Sequence, residues 1–132
     1  MTLDADLNLI AVLLAVVAAF GIGALWYGPL FGARWQMLAG ITDESVAGVN
    51  MGKVYGSAFA LQLVAVVTLA LVMGEATVVG GALIGLVLGG AFVATALGVT
   101  YLFSQKPLAL WAIDAGYHVT YYTVAGAILG AF

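Results

Sequence analysis

Apolar residues in this chain fall in long, almost unbroken runs rather than alternating with polar ones. The runs cover about residues 7–27, 51–73, 77–103 and 108–132. An α-helix rises about 1.5 Å per residue, and a bilayer's hydrocarbon core takes roughly 20 residues to cross, so each run has the length of a membrane span. Continuous apolar stretches of that length are the sequence pattern of transmembrane helices. The expected fold is an all-α, polytopic membrane protein with four transmembrane helices, forming a single membrane domain. The third run is longer than a perpendicular crossing needs, which implies tilt or extension past the interface.

The breaks between runs are informative. The first run ends in Trp26 and Tyr27, amphipathic rings of the kind that collect at a membrane interface, and Gly28-Pro29 then ends the helix. Residues 30–40 are too few and too polar to span. Phe31, Trp35 and Leu38 share one helical stripe, with Arg34 and Gln36 off it, and Pro29 and Gly40 suit the two ends of a helix. This predicts a short interfacial helix over about residues 30–40, between spans one and two. A re-entrant or irregular loop packed on the bundle is the alternative. Trp26, Tyr27, Arg34 and Trp35 are read as interface anchors, since one Arg is far short of a basic lipid-headgroup site. Thr42-Asp43-Glu44 has the form of a helix start, with a capping hydroxyl and acids at the positive end of the dipole. Gly74-Glu75-Ala76 and Ser104-Gln105-Lys106-Pro107 supply the remaining turns.

Glycines recur every four residues. Gly48, Gly52 and Gly56 form one series, Gly81, Gly85 and Gly89 a second, and Gly126 and Gly130 a third; Gly90, Ala94 and Gly98 make a further small-residue stripe. Small residues at this spacing let helix backbones approach closely. Tight helix packing is expected, with the partner either within the chain or in another copy.

Composition agrees with a lipid solvent. The 132 residues are 65% hydrophobic and 7% charged, and the mean hydropathy is +1.21. Soluble domains carry about 25% charged residues, so this chain lacks the polar surface that water requires. The net charge of −3 comes without any basic stripe, which leaves nucleic-acid binding unsupported. With no cysteine, disulfides, thiolate metal sites and a cysteine nucleophile are excluded. The acidic start, with Asp4 and Asp6, is unlike a secretory signal and is read as leading into a permanent membrane helix.

The stretch Leu25-Trp26-Tyr27-Gly28-Pro29-Leu30-Phe31-Gly32 with Trp35 resembles a signature of an uncharacterised bacterial integral-membrane family, domain of unknown function 1761. Ile113-Asp114-Ala115-Gly116-Tyr117-His118, followed by Gly126-Ala-Ile-Leu, is similar to its second signature, and Thr42-Asp43-Glu44 fits its loop. The resemblance covers nearly the whole chain. It implies a four-helix membrane fold and carries no catalytic signature. The basic residues Arg34, Lys53 and Lys106 lie in the first and third connections, so the positive-inside rule puts both connections in the cytoplasm of a bacterial inner membrane and both termini outside it.

Chemistry concentrates in the fourth run. Helical spacing places Asp114 and His118 one turn apart on the same face, with Tyr117, Tyr121 and Tyr122 around them. Counted from Leu108, they lie about 9 Å and about 15 Å along the helix. An intramembrane carboxylate opposes insertion by roughly 2.5–3.5 kcal/mol, so the protein interior must receive it. One reading is a proton relay or ion path; the other is an internal polar tie holding the helices in register. Gln62, the polar side chain in the middle of span two, is a third candidate, and the tyrosines are read first as packing. One His with one carboxylate is half of a usual four-ligand site, so no metal is expected, and no attachment motif calls for a cofactor. Ser57 and Ser104 have no base at catalytic spacing, so the chain is not expected to be an enzyme. The functional expectation is permeation or transport of a small solute, ion or proton through an oligomeric bundle. The alternative is a non-catalytic accessory or structural subunit of a larger membrane complex, in contact with pigment or lipid.

Overall fold

The computed structural model describes residues 7–132, so the acidic start at residues 1–6 lies outside the described residues. Helix α1 (Leu9–Leu25) begins where the Asn8 side chain accepts from the Ala11 amide, a capping bond for one of the free first-turn N–H groups. Beyond Leu25 the chain does not stop. It widens into a π-helical segment, Trp26–Leu30, that contains Pro29. Proline lacks an N–H, and its ring crowds the carbonyl four residues back. The wider turn passes this point, with the Phe31 amide donating to the Trp26 carbonyl at 2.9 Å. The first apolar helix therefore runs through Gly28-Pro29 and ends only after Leu30.

Helix α2 (Gly32–Ala39) follows, and Gly40 ends it in the left-handed conformation at φ 70°, where glycine pays no steric penalty. Helix α3 (Asp43–Val46) opens with a reciprocal cap between Thr42 and Ser45. It is separate from α4 (Met51–Met73), because Asn50 starts that helix with its own cap to the Lys53 amide. Thr77 caps α5 (Val78–Val87), which passes through a second π segment, Leu88–Ala94, into α6 (Thr95–Phe103). Helix α7 (Leu108–Ala131) closes the fold. No strand occurs among the described residues.

Three helical stretches are long and apolar enough to cross a membrane: Leu9–Leu30, Met51–Met73 and Val78–Phe103. Helix α7 has 24 residues but is less apolar, because Asp114, His118 and three tyrosines interrupt it. Its position explains how it tolerates them. α7 packs against α1, α4 and α5 together, and its buried side chains include Leu110, Ile113, Tyr117, Tyr121 and Ala125. Val12, Ala15 and Val16 of α1, Val66, Leu69 and Met73 of α4, and Ala125 of α7 form the main apolar cluster. The outer surface is also greasy: Ile10 is 67% exposed, Leu61 72% and Val79 68%. Exposed side chains of that kind suit hydrocarbon rather than water.

The closest packing is between α5 and α7, which run antiparallel. A Cβ on Gly81 would collide with the backbone carbonyl of Gly126, and a Cβ on Gly126 with that of Gly81. Gly85 stands in the same relation to the Tyr122 carbonyl and Gly130 to the Thr77 carbonyl, while a Cβ on Gly89 would lie 3.0 Å from the Val119 Cα. These five glycines make one backbone-on-backbone seam. Gly52 and Gly56 lie outside it. A Cβ at Gly56 would meet nothing within 4 Å, and one at Gly52 only the neighbouring Asn50 side chain.

This contrast gives a stability prediction. Gly85→Ala should destabilise the detergent-solubilised protein by at least about 1–3 kcal/mol, the range for overpacking a rigid site. Gly56→Ala should be neutral or stabilising by up to about 1 kcal/mol, because a helical glycine on open space loses its entropic penalty. Thermal unfolding followed by circular dichroism reads both; equal effects would contradict the seam.

Candidate functional site

Asp114 lies on α7 near the end that meets α2 and α6. Its carboxylate accepts three hydrogen bonds from three separate segments. Tyr27 Oη, from the first π segment, donates to Oδ1 at 2.7 Å, and Trp35 Nε1, from α2, donates to the same oxygen at 3.0 Å. Tyr101 Oη, from α6, donates to Oδ2 at 2.6 Å. The hydroxyl bonds have the short lengths typical of a carboxylate acceptor. Two further indoles fix the surroundings. Trp26 Nε1 donates to the Ile113 carbonyl at 2.8 Å, and Trp111 Nε1 donates to the Ala94 carbonyl in the second π segment at 2.9 Å.

Local structure explains why these groups converge. The π segment around Pro29 carries Trp26 and Tyr27 to the α7 side of α1, and the turn at Phe31 folds α2 back so that Trp35 reaches the same carboxylate. Gly116 makes room, since a Cβ there would lie 2.9 Å from the Trp26 ring. The Tyr27 ring then stands edge-on to both Trp35 and Tyr117, with centroids 5.3 and 5.4 Å apart. Edge-to-face pairs at these separations contribute about 0.5–1.5 kcal/mol each beyond burial.

Toward the middle of α7 a second polar group begins. Gln62 Nε2 of α4 donates to Tyr117 Oη at 2.6 Å, and Tyr117 Oη donates to the Ala19 carbonyl of α1 at 3.0 Å. One tyrosine thus joins three helices. The His118 ring lies 5.3 Å from Tyr117 and 5.5 Å from Tyr121, centroid to centroid. The Tyr121 and Tyr122 rings pack at a tilt, with centroids 4.7 Å apart. Although Asp114 and His118 share a helix face, no hydrogen bond joins them: Asp114 bonds the three aromatic donors, and His118 packs among tyrosines.

A cavity of about 850 Å³ opens between α1, α4 and α7. Phe20, Tyr55, Leu61, Gln62, Tyr117 and His118 are among its lining residues, and its wall is mainly apolar. No Asp, Glu, Lys or Arg lines it, and Asp114 is not part of it. Among the described residues, no three His, Asp or Glu side chains gather as a metal site would require.

The structure brings most of the residues singled out from sequence into these two adjoining groups. Asp114, Tyr27, Trp35 and Trp26 form the first; Tyr117, Gln62, His118 and Tyr121 form the second. The polar atoms of Trp26, Tyr27 and Trp35 turn toward α7, whereas Arg34 is exposed. Tyr101 joins the first group without a distinguishing sequence signal, since tyrosines are common near the ends of apolar spans.

The carboxylate cluster gives the second prediction. Asp114→Leu leaves up to three donors without an acceptor, and each such loss costs about 1–3 kcal/mol when buried. Tyr101→Phe alone should cost about 0.5–2 kcal/mol, and adding Tyr101→Phe to Asp114→Leu should cost far less than that. Unfolding of the four species in detergent completes the cycle; additive losses would show that Tyr101 does not act through Asp114.

Comparison with known proteins finds one family model, described as "Protein of unknown function (DUF1761)", matching residues 10–130. No curated protein and no solved structure matches the chain.

Proposed function

The chain belongs to this family of proteins of unknown function, and we propose that it is a non-catalytic, four-crossing inner-membrane protein whose polar cluster ties the bundle together rather than conducting ions. In this reading it serves as an accessory or structural subunit of a larger assembly. The observation that carries it is the closed set of donors around Asp114: Tyr27, Trp35 and Tyr101 bond both carboxylate oxygens. A proton or ion path needs its carboxylate to face water or a neighbouring relay group. Asp114 lies outside the cavity, and the cavity wall carries no charged side chain. Both features favour a tie over a conduit, so the small-solute or ion permeation expected from the depth of Asp114 and His118 becomes the lesser reading.

The fourth crossing is α7. At about 1.5 Å per residue it is long enough for a hydrocarbon core of about 30 Å. Its polar side chains are turned inward, so its low hydropathy does not argue against a place within the bilayer. Helix α2 then lies across the end of α7 in the headgroup region, with Trp35 facing in and Arg34 facing out. By the positive-inside rule, Arg34, Lys53 and Lys106 favour a cytoplasmic position for the connections before α4 and before α7, with the Glu75 turn and both termini outside. A partner, either a second copy or another membrane subunit, would cover the α4 face on which Gly56 meets nothing within the chain.

Two measurements test this. The chain has no cysteine, so single cysteines report topology cleanly. In intact cells a membrane-impermeant maleimide should label Glu75→Cys and Phe132→Cys, and should label Ser104→Cys only after permeabilisation. Labelling of Phe132→Cys and Ser104→Cys from the same side would remove the fourth crossing. In proteoliposomes, proton and potassium flux should equal that of empty vesicles, with or without Asp114→Asn. A flux that Asp114→Asn abolishes would overturn the tie.

A further inference from the structure

The cavity between α1, α4 and α7 has a use that the tie at Asp114 does not supply. It lies beside the carboxylate cluster, shares Tyr27 and Trp35 with it, and extends along α4. Its volume, about 850 Å³, falls within the roughly 300–1,000 Å³ of small-molecule sites, which are lined mostly by apolar and aromatic groups with a few placed polar ones. Its outer rim on α4 includes Leu61 and Tyr55, which are 72% and 58% exposed on the face that would meet lipid.

Two lining residues leave hydrogen-bonding capacity unused. Gln62 Oε1 and His118 Nδ1 are both shielded from solvent and have no partner. The Gln62 amide is oriented by its neighbours. The Tyr117 hydroxyl gives its proton to the Ala19 carbonyl, so it must accept from Gln62 Nε2, and Gln62 Oε1 is left as a free acceptor. His118 Nδ1 accepts or donates according to tautomer. An unsatisfied polar group away from water costs about 1–3 kcal/mol. Both residues line the cavity, but neither atom has free surface on it as it stands, so an occupant's hydrogen-bonding group reaches them when the Gln62 amide or the His118 ring turns toward it.

We propose that this cavity binds an uncharged, lipid-soluble molecule with a hydroxyl-bearing ring on an apolar tail, its hydroxyl meeting Gln62 and His118. The absence of charged lining residues disfavours phosphate or carboxylate heads. The rings of Phe20, Tyr55 and Tyr117 present flat apolar surface to a ring of that kind. A hydroxyl both donates and accepts, so it suits the acceptor at Gln62 and either tautomer of His118. The molecule enters from the bilayer along the α4 rim, and no chemistry on it is implied. This inference goes beyond the proposed structural role and does not depend on the closure around Asp114.

The test compares 4-dodecylphenol with its methyl ether, which has the same body and no donor. Each is titrated into the purified full-length protein in phosphatidylcholine nanodiscs, and binding is read by native mass spectrometry and by the shift in unfolding temperature. The phenol should bind about tenfold more tightly than the ether, the discrimination of one hydrogen bond. Gln62→Leu and His118→Phe should each reduce that preference. Ligand-free unfolding shows whether each variant is folded. His118→Phe keeps the Gln62–Tyr117 bond, so it tests the site even if Gln62→Leu loosens the bundle. Equal binding of phenol and ether, binding of neither, or an undiminished preference in folded His118→Phe would overturn the proposal; the first result would mean that the cavity holds only acyl chains.

Discussion

A carboxylate half-buried among apolar helices has to be answered by donors, and Asp114 sets the terms for everything near it. Three aromatic side chains from the first π segment, α2 and α6 converge on its two oxygens. No one of these segments could satisfy it alone. The convergence explains why the helix through Pro29 widens instead of ending, and why α2 doubles back over α7 instead of leaving the bundle. It also explains the use of Tyr and Trp rather than Lys or Arg. A neutral donor on a large apolar body meets the carboxylate without importing a second charge that would itself need solvation.

The glycine seam solves a different problem for the same helix. α7 carries too many polar groups to face lipid, so it must be surrounded. Backbone contact with α5 through Gly81, Gly85, Gly126 and Gly130 covers one side. Small side chains on α1, Ala15 and Ala19, allow close approach on the other. In lipid the hydrophobic effect gives helices little reason to associate, so contact of this closeness and hydrogen bonds between helices have to hold them. Tyr117 supplies such bonds by joining α4, α7 and α1. The cavity lies between α4 and the α1 and α7 faces of this bundle.

Much of this arrangement was legible in the sequence, and the exceptions have physical causes. The apolar runs located the long helices to within a few residues, because length and hydropathy are local properties. Gly40 and Thr42 were readable as a helix end and a helix start for the same reason. The Asp114 group was readable as a need, since a carboxylate in an apolar run must find donors. Its partners are not readable from local sequence: the rings of Tyr27, Trp35 and Tyr101 have the pattern of interface aromatics, and which way each polar atom turns depends on helices far away in sequence. Four-residue glycine spacing marks a capacity for close packing and does not say which series finds a partner within the chain. Gly81 and Gly126 do; Gly56 does not. The π segment at Leu88–Ala94 left no proline to announce it.

The central claim is that the carboxyl group of Asp114 is enclosed by donors from within the chain. The chain has three tryptophans, so its indole N–H signals form a small, assignable set in a nitrogen–proton NMR spectrum of the protein in micelles. The account predicts that the Trp35 indole proton exchanges slowly with water. It further predicts that Asp114→Asn moves the Trp35 signal strongly while shifting Trp111, which bonds the Ala94 carbonyl, much less. A Trp35 indole that exchanges at the rate of a free one, and that is indifferent to the change at Asp114, would contradict the account.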